Sequence, residues 1–293
     1  MKIRSTLAGL PAKVAFNLRY HARQSHPVRS LAADLLARTH GSRLVTYRHA
    51  GSRLRLRRAG LSRLLWVDPG CRLDGEIFIE RFLRPGETFV DVGANIGVHT
   101  LLAARIVGPT GRVRAIEAHP GTFRALEENI RLNDAAHVTA VCAAAGPAPG
   151  QVHFSDRTDD DWNQVQAEGA LTVAQQPLDE LCQGLGRIAL LKIDVEGYEL
   201  PCLRGAAEVL ARTDCVLLEY WREHTRHFGY SLADLMAWLG RWGFSAHVLD
   251  ETATRIALRP LAHDAAEPDE LLNLVFVRDP VWLERVQPAA ESP

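Results

Sequence analysis

Short apolar runs of strand length alternate along residues 88–142 with longer runs whose apolar positions recur at helical spacing. This predicts strands over 88–92, 112–117 and 137–142 and helices over 97–107 and 120–132. The run Ile188–Asp194 predicts the next buried strand, followed by a helix from about Glu199 to Leu210 and a strand over 214–220. Leu232–Trp242 reads as an amphipathic helix stopped by Gly243. Two strands, 244–249 and 272–277, then follow with no helix between them, so they are expected to pair antiparallel at the sheet edge. Alternation of this kind implies parallel strands joined by right-handed crossovers, with ligand chemistry at their carboxyl ends. The pattern lapses between Gly146 and Leu181, where Gln151–Phe154 and Leu171–Ala174 read as arms of a small hairpin around a polar loop.

Upstream, Gly75–Arg84 reads as a helix closed by Pro85 and Gly86. Alternating runs between Arg43 and Val67, such as Arg53–Arg57, predict strands of a lead-in hairpin, and Leu31, Leu35 and Leu36 predict an amphipathic helix over 28–38. Charge separates this part from the rest. Residues 1–72 hold fifteen Lys and Arg against Asp34 and Asp68, a net of +13 in a chain whose total is −1. Three regions are therefore expected: a basic extension over 1–72, one α/β domain over 73–279, and a polar tail over 280–293.

The basic extension could dock an acidic protein partner or an anionic lipid surface, or could simply be a solvated helix packed on the domain. Phe16 and Tyr20 stand alone, so it lacks the interleaved aromatics of a nucleic-acid binder. No run reaches the roughly 18–20 apolar residues that span a bilayer, and Pro11 and Lys13 interrupt the early apolar run. The five scattered cysteines show no ligand spacing, which predicts reduced thiols in a cytoplasmic protein rather than a disulfide framework or zinc site.

The chemistry centres on Phe89-Val90-Asp91-Val92-Gly93-Ala94-Asn95-Ile96-Gly97, a strand, a tight turn and the start of a helix. Gly93 and Gly97 let the backbone turn sharply and let a ligand approach, while the new helix offers its free N–H groups and positive dipole end. A dinucleotide fingerprint needs glycine at the positions held by Asn95 and Val98, so a pyrophosphate fits poorly. Asp91 would repel a phosphate and can receive an ammonium. Glu117 ends the second strand, where an acid can accept both hydroxyls of a ribose. An amino-acid end at the turn and a ribose at the next acid describe S-adenosylmethionine, with Asp91, Gly93, Asn95, Gly97, Glu117 and Cys142 as cofactor-binding candidates.

Those residues, with Ala115-Ile116-Glu117-Ala118-His119-Pro120, Leu191-Lys192-Ile193-Asp194-Val195-Glu196-Gly197-Tyr198-Glu199-Leu200 and Leu203-Arg204-Gly205-Ala206, resemble the signatures of the FkbM family of S-adenosylmethionine-dependent methyltransferases. The resemblance covers about residues 75–220 and, more loosely, the chain to about 279. It implies a Rossmann-like α/β sheet of seven strands, mostly parallel with an antiparallel C-terminal hairpin, and O-methylation of a small-molecule hydroxyl on a sugar or a polyketide-like product. Lys192 and Asp194 share one face of their strand. Either Asp194 removes the acceptor proton, or a desolvated Lys192 does so while Asp194 binds the hydroxyl; Lys192 could equally be a tether for Asp194 or Glu219.

Glu219, Trp221 and His224 are candidate acceptor contacts, with a surface position the alternative for His224. Trp162 and Asn163 could meet cofactor or substrate from the polar loop. His119 is expected to cap its helix, and Glu196 and Glu199 to serve the turn and helix start that follow Asp194. Asp159, Asp160 and Asp161 are contiguous and diverge, so no metal site is expected. Two rival functions are a dinucleotide-dependent oxidoreductase and an idle scaffold that docks a partner through its basic arm.

Overall fold

The computed structural model describes residues 26–38, 41, 44–57, 60–156, 163–252, 255–262 and 264–286. They fall into two compact units, one drawn from Met1–His49 and Arg53–Cys71, the other from Ala50–Ser52 and Arg72–Pro293.

In the smaller unit, helix α1 (Pro27–Arg38) packs on helix α2 (Gly60–Val67). Arg63 pairs with Asp34 at 2.9 Å, and Arg29 donates to the Trp66 carbonyl at 3.0 Å. Strands β1 (Thr46–His49) and β2 (Ser52–Arg55) form the expected hairpin. The strand pattern read as far as Val67 ends early, because 60–67 is helical. Ser62 and Leu65, three apart, are both buried, and Ser62 Oγ accepts from Arg57 N–H at 2.8 Å and donates to the Arg55 carbonyl at 3.1 Å.

The larger unit is built on an eight-stranded sheet. Its strands are β3 (Thr88–Val92), β4 (Arg112–Glu117), β5 (Val138–Cys142), β10 (Ile188–Ile193), β11 (Thr213–Tyr220), β12 (Ser245–Glu251), β13 (Ile256–Pro260) and β14 (Leu272–Val277), ordered β13-β12-β14-β11-β10-β3-β4-β5. From β5 to β11 neighbouring strands run parallel; β14 lies antiparallel between β11 and β12. Every residue of β10 is buried, the signature of a strand covered on both faces.

Seven of these strands are the expected ones. The eighth, β13, pairs with β12 at the edge, where Pro260 and its missing N–H are tolerated.

Helices α3 (Glu76–Phe82), α4 (Val98–Val107) and α5 (Pro120–Leu132) match their apolar spacing. The carboxylate of Glu251 caps α3 from β12, accepting from Ile77 and Phe78 N–H at 3.0 Å each. Between β5 and α6 (Leu178–Leu181) a second sheet forms from β6 (Ala144–Ala145), β7 (Gly150–Phe154), β8 (Val165–Gln166) and β9 (Leu171–Gln176), with β7 and β9 as the expected hairpin arms.

The helix expected over 199–210 is two, α7 (Glu199–Arg204) and α8 (Ala207–Ala211). Asp179 captures the backbone of the second piece, accepting from Val209 N–H at 2.8 Å, a cap of about 1 kcal/mol that favours the break. Downstream lie α9 (Arg222–Thr225) and α10 (Leu232–Gly240), the latter closed at its start by a Ser231–Asp234 capping box. The expected polar tail begins as a packed 3-10 turn, Pro280–Arg285, followed by a fully buried Val286.

Candidate active site

Strand register gathers the sequence candidates into one row. Ile116, Val92, Ile193 and Leu218 are partners across β4, β3, β10 and β11, and one step further come Glu117, Gly93, Asp194 and Glu219. Cys142 is the partner of Glu117 on β5, and Asn273 of β14 is the partner of Glu219. The carboxyl rim of the sheet is thus acidic along its centre. Cys142 is exposed there, and partial desolvation, then the Glu117 charge beside it, raises its thiol pKa above the ordinary value.

Two residues back from that row, Asp91 and Lys192 are direct partners. Both are buried. Asp91 Oδ2 accepts from Thr100 Oγ1 at 2.6 Å, while Oδ1, 3.7 Å from Lys192 Nζ, accepts no hydrogen bond among the described residues. Lys192 Nζ donates to Asp194 Oδ2 at 3.0 Å. Burial acts most strongly on Lys192 and disfavours its charge, but Asp194, Asp91 and Glu219 together outweigh it and raise the pKa above 10.5. Lys192 is therefore a held ammonium. For Asp91 burial wins, and its pKa is raised despite Lys192 and Thr100.

The turn has no side-chain cap on α4, and three of its residues take left-handed backbone: Gly93 at φ 77°, Asn95 at 48° and Gly97 at 92°. The glycines make room for protein atoms. A Cβ on Gly93 would lie 1.7 Å from the Asp194 carbonyl oxygen, and one on Gly97 would lie 2.6 Å from Leu126 Cδ1. Gly93 thus permits the β3 and β10 loops to touch. Asn95 N–H donates to Glu117 Oε2 at 2.9 Å and His119 N–H to Oε1 at 2.8 Å, so backbone groups on both sides fix that carboxylate. His119 caps α5 as expected: Nδ1 accepts from Thr122 N–H at 3.2 Å, leaving Nε2 as the donor toward Asp156 at 3.2 Å.

On the far side of Asp194, Glu196 has φ 55° and sits 3.0 Å from His224 Nδ1. The His224 side chain is only 13% exposed and packs against Trp221 in a tilted arrangement with ring centroids 4.2 Å apart, so it is not a surface histidine. Glu199 accepts from Gly197 N–H at 3.0 Å and from Tyr230 OH at 2.7 Å, which gives it the expected turn-holding role. Asn163 accepts from Ser155 Oγ at 2.9 Å within the small sheet; Trp162 and the three aspartates lie outside the described residues. Among the described residues no group of His, Cys, Asp and Glu is arranged to hold a metal ion.

Burial, then Asp194, pushes Glu196 up to about 9 and Glu219 up to about 8. The folded protein therefore keeps protons that the unfolded chain releases near pH 4.5. Stability contributed by these groups is complete below that pH and is lost as pH rises through 8 and 9. The melting temperature of the ligand-free protein is expected to fall between pH 6 and pH 9, and Glu219→Gln to flatten the slope. An unchanged slope in that variant would remove Glu219 from the account.

Thr100 and Tyr230 carry no sequence expectation, and that for Glu196 is only to serve the turn, not to pair with His224. Thr100 left a signal, as a buried hydroxyl in the otherwise apolar stretch Thr100–Ala104.

The row suits S-adenosylmethionine on two observations. Asp91 Oδ1 is a buried carboxylate oxygen short of a donor, and Glu117 is an oriented carboxylate one strand away. Neither would welcome a pyrophosphate.

The family described as Methyltransferase FkbM domain matches residues 91–246. Hexuronic acid methyltransferase AglP of Haloferax volcanii is 33% identical over 135 residues, covering 44% of this chain and 54% of that protein. The chain thus spans about half the length of that relative. Methyltransferase 1 of Beauveria bassiana is 28% identical over 177 residues, covering 48% of this chain and 71% of that one. The crystal structure of an FkbM methyltransferase from Methylobacillus flagellatus aligns with TM-score 0.44 and 18% identity, over 69% of this chain and 50% of that one. With more than half its length matched and the row of acids in place, this chain belongs to the FkbM methyltransferase family, whose cofactor is S-adenosylmethionine.

Proposed function

We propose that this protein transfers a methyl group from S-adenosylmethionine to a hydroxyl of a small molecule, with a sugar the favoured acceptor. The observation that carries the reading is the Asp91–Lys192–Asp194 chain on the sheet rim. The likeness to a hexuronic acid methyltransferase supports the acceptor class.

The bound cofactor supplies an electrophilic methyl group on a good leaving group. This chain's residues must then hold two reactants in line and take one proton. Asp91 receives the ammonium of the amino-acid end, and Glu117 receives the ribose hydroxyls beside the 93–97 turn. Asp194 acts as the general base. Its Oδ2 is held by Lys192, so the carboxylate is oriented, and its side chain is 34% exposed and open to an acceptor. Lys192, kept charged, cannot take the proton and serves as the orienting group. Glu219 carries a proton near neutral pH and donates it in a hydrogen bond to an acceptor oxygen, beside the Trp221 and His224 rings.

Calorimetry with S-adenosylhomocysteine and labelled-methyl transfer to a panel of hydroxyl compounds test this together. Glu117→Ala is expected to lower S-adenosylhomocysteine affinity by about tenfold to a hundredfold, as for loss of hydrogen bonds to a charged group. Asp194→Asn should bind it normally and lose transfer. Binding of NAD in preference to S-adenosylhomocysteine would end the proposal, and full transfer by Asp194→Asn would end its choice of base.

A further inference from the structure

The smaller unit presents its main helix in an unusual way. Ser30 and Ala33 of α1 are the inward residues, at 0% and 3% exposure, while Val28, Leu31 and Leu35 stand outward at 82%, 40% and 57%. At spacings of three and four these outward residues form one stripe, on the face that an amphipathic helix normally fills with polar groups. The exposure is also concentrated. Of seven large apolar side chains exposed among the described residues, five (Val28, Leu31, Leu35, Leu44 and Leu64) belong to this unit.

Charge supplies the second observation. Residues 1–72 carry a net +13, and one of their two acids, Asp34, is occupied by Arg63. On the hairpin, Arg48 and Arg53 are exposed while Tyr47 and Leu54 turn inward.

We propose that the smaller unit docks on an anionic lipid surface, with Val28, Leu31 and Leu35 entering the headgroup region and arginines such as Arg48 and Arg53 meeting the lipid phosphates. Interfacial helices combine these two ingredients, an aliphatic stripe and dense positive charge, because neither alone holds a protein to a bilayer. The occupant is not nucleic acid. Of the Phe, Tyr and Trp residues in the described part of the unit, Tyr47 is buried and Trp66 has the Arg29 guanidinium 5.3 Å above it, so the interleaved aromatics that stack successive bases are lacking there. Nor is the contact a span: no helix among the described residues is long and apolar enough to cross a membrane. An acidic protein would also answer the charge, but the aliphatic stripe favours lipid, which takes up apolar side chains without a groove of matching shape. The inference stands apart from the methyl-transfer reading.

Co-sedimentation of the full-length chain with phosphatidylcholine vesicles, with and without phosphatidylglycerol, tests it. Binding is expected only to the anionic vesicles and to weaken with salt. Leu31→Asp with Leu35→Asp should weaken partitioning at least about tenfold. Arg48→Gln with Arg53→Gln should weaken it about fivefold for each charge removed. All these side chains are exposed, and an unchanged circular dichroism spectrum and protease-resistance pattern would certify the fold of each variant. Failure to bind anionic vesicles, equal binding by parent and variants, or a dimer in light scattering that the leucine variants abolish would each overturn the proposal, the last in favour of a second copy of this chain.

Discussion

Lys192→Met is expected to cost about 3–5 kcal/mol of stability, because it removes one partner of a buried ion pair and strands the other. Asp91 would keep Thr100 but lose the ammonium that most opposes its desolvation. Its carboxyl pKa, already raised, would rise further, so the folded variant holds a proton that the unfolded chain gives up near 3.8. Because the parent's Asp91 pKa is itself raised, the deficit grows by linkage only as pH passes that folded value and the parent, unlike the variant, releases the proton. The variant should therefore lie closer to the parent at pH 5 than at pH 8. For a domain of this size the loss corresponds to a melting temperature lower by about 10 °C. A catalytic lysine would behave differently, abolishing turnover while leaving the melting curve in place. Thermal unfolding at the two pH values separates the roles.

Gly93→Ala should produce a loss of similar size through backbone geometry alone. The added carbon would lie 1.7 Å from the Asp194 carbonyl oxygen and 2.8 Å from its carbon, neither of which can rotate away. Alanine at φ 77° adds about 1 kcal/mol, and the overlap adds about 1–3 kcal/mol as the loops separate. Asp194 then moves, so S-adenosylhomocysteine binding and transfer should both fall. Gly97→Ala makes a useful contrast, since the atom it meets, Leu126 Cδ1, is the far end of a side chain that can turn aside. If the two variants proved equally stable, the Asp194 contact would not be what requires Gly93.

Much of the rim was legible in the sequence because a parallel sheet makes it so. When each strand ends in an acid, register alone carries Glu117, Asp194 and Glu219 to one row, and the strand ends were readable from hydrophobic runs. What could not be read were contacts made by backbone crossing backbone. Gly93 looked like space for a ligand, yet its neighbour is a carbonyl about one hundred residues away in the chain. The Glu196–His224 pair depends on a left-handed residue and a one-turn helix, neither of which leaves a periodic trace. Helix α2 was hidden for a related reason. Its eight residues are too few for apolar spacing to outweigh the alternating arginines just before it.

The position of β14 between β11 and β12 bears on how the chain matures. During synthesis, residues up to Pro260 can emerge with β12 and β13 already paired to each other, but the place that joins them to the main sheet is filled only when Leu272–Val277 arrive. Until then β11 carries an open hydrogen-bonding edge whose central side chains, Cys215 to Leu218, are apolar, the condition that invites pairing with another nascent chain. Premature termination upstream of Leu272 is therefore expected to yield a product prone to aggregate.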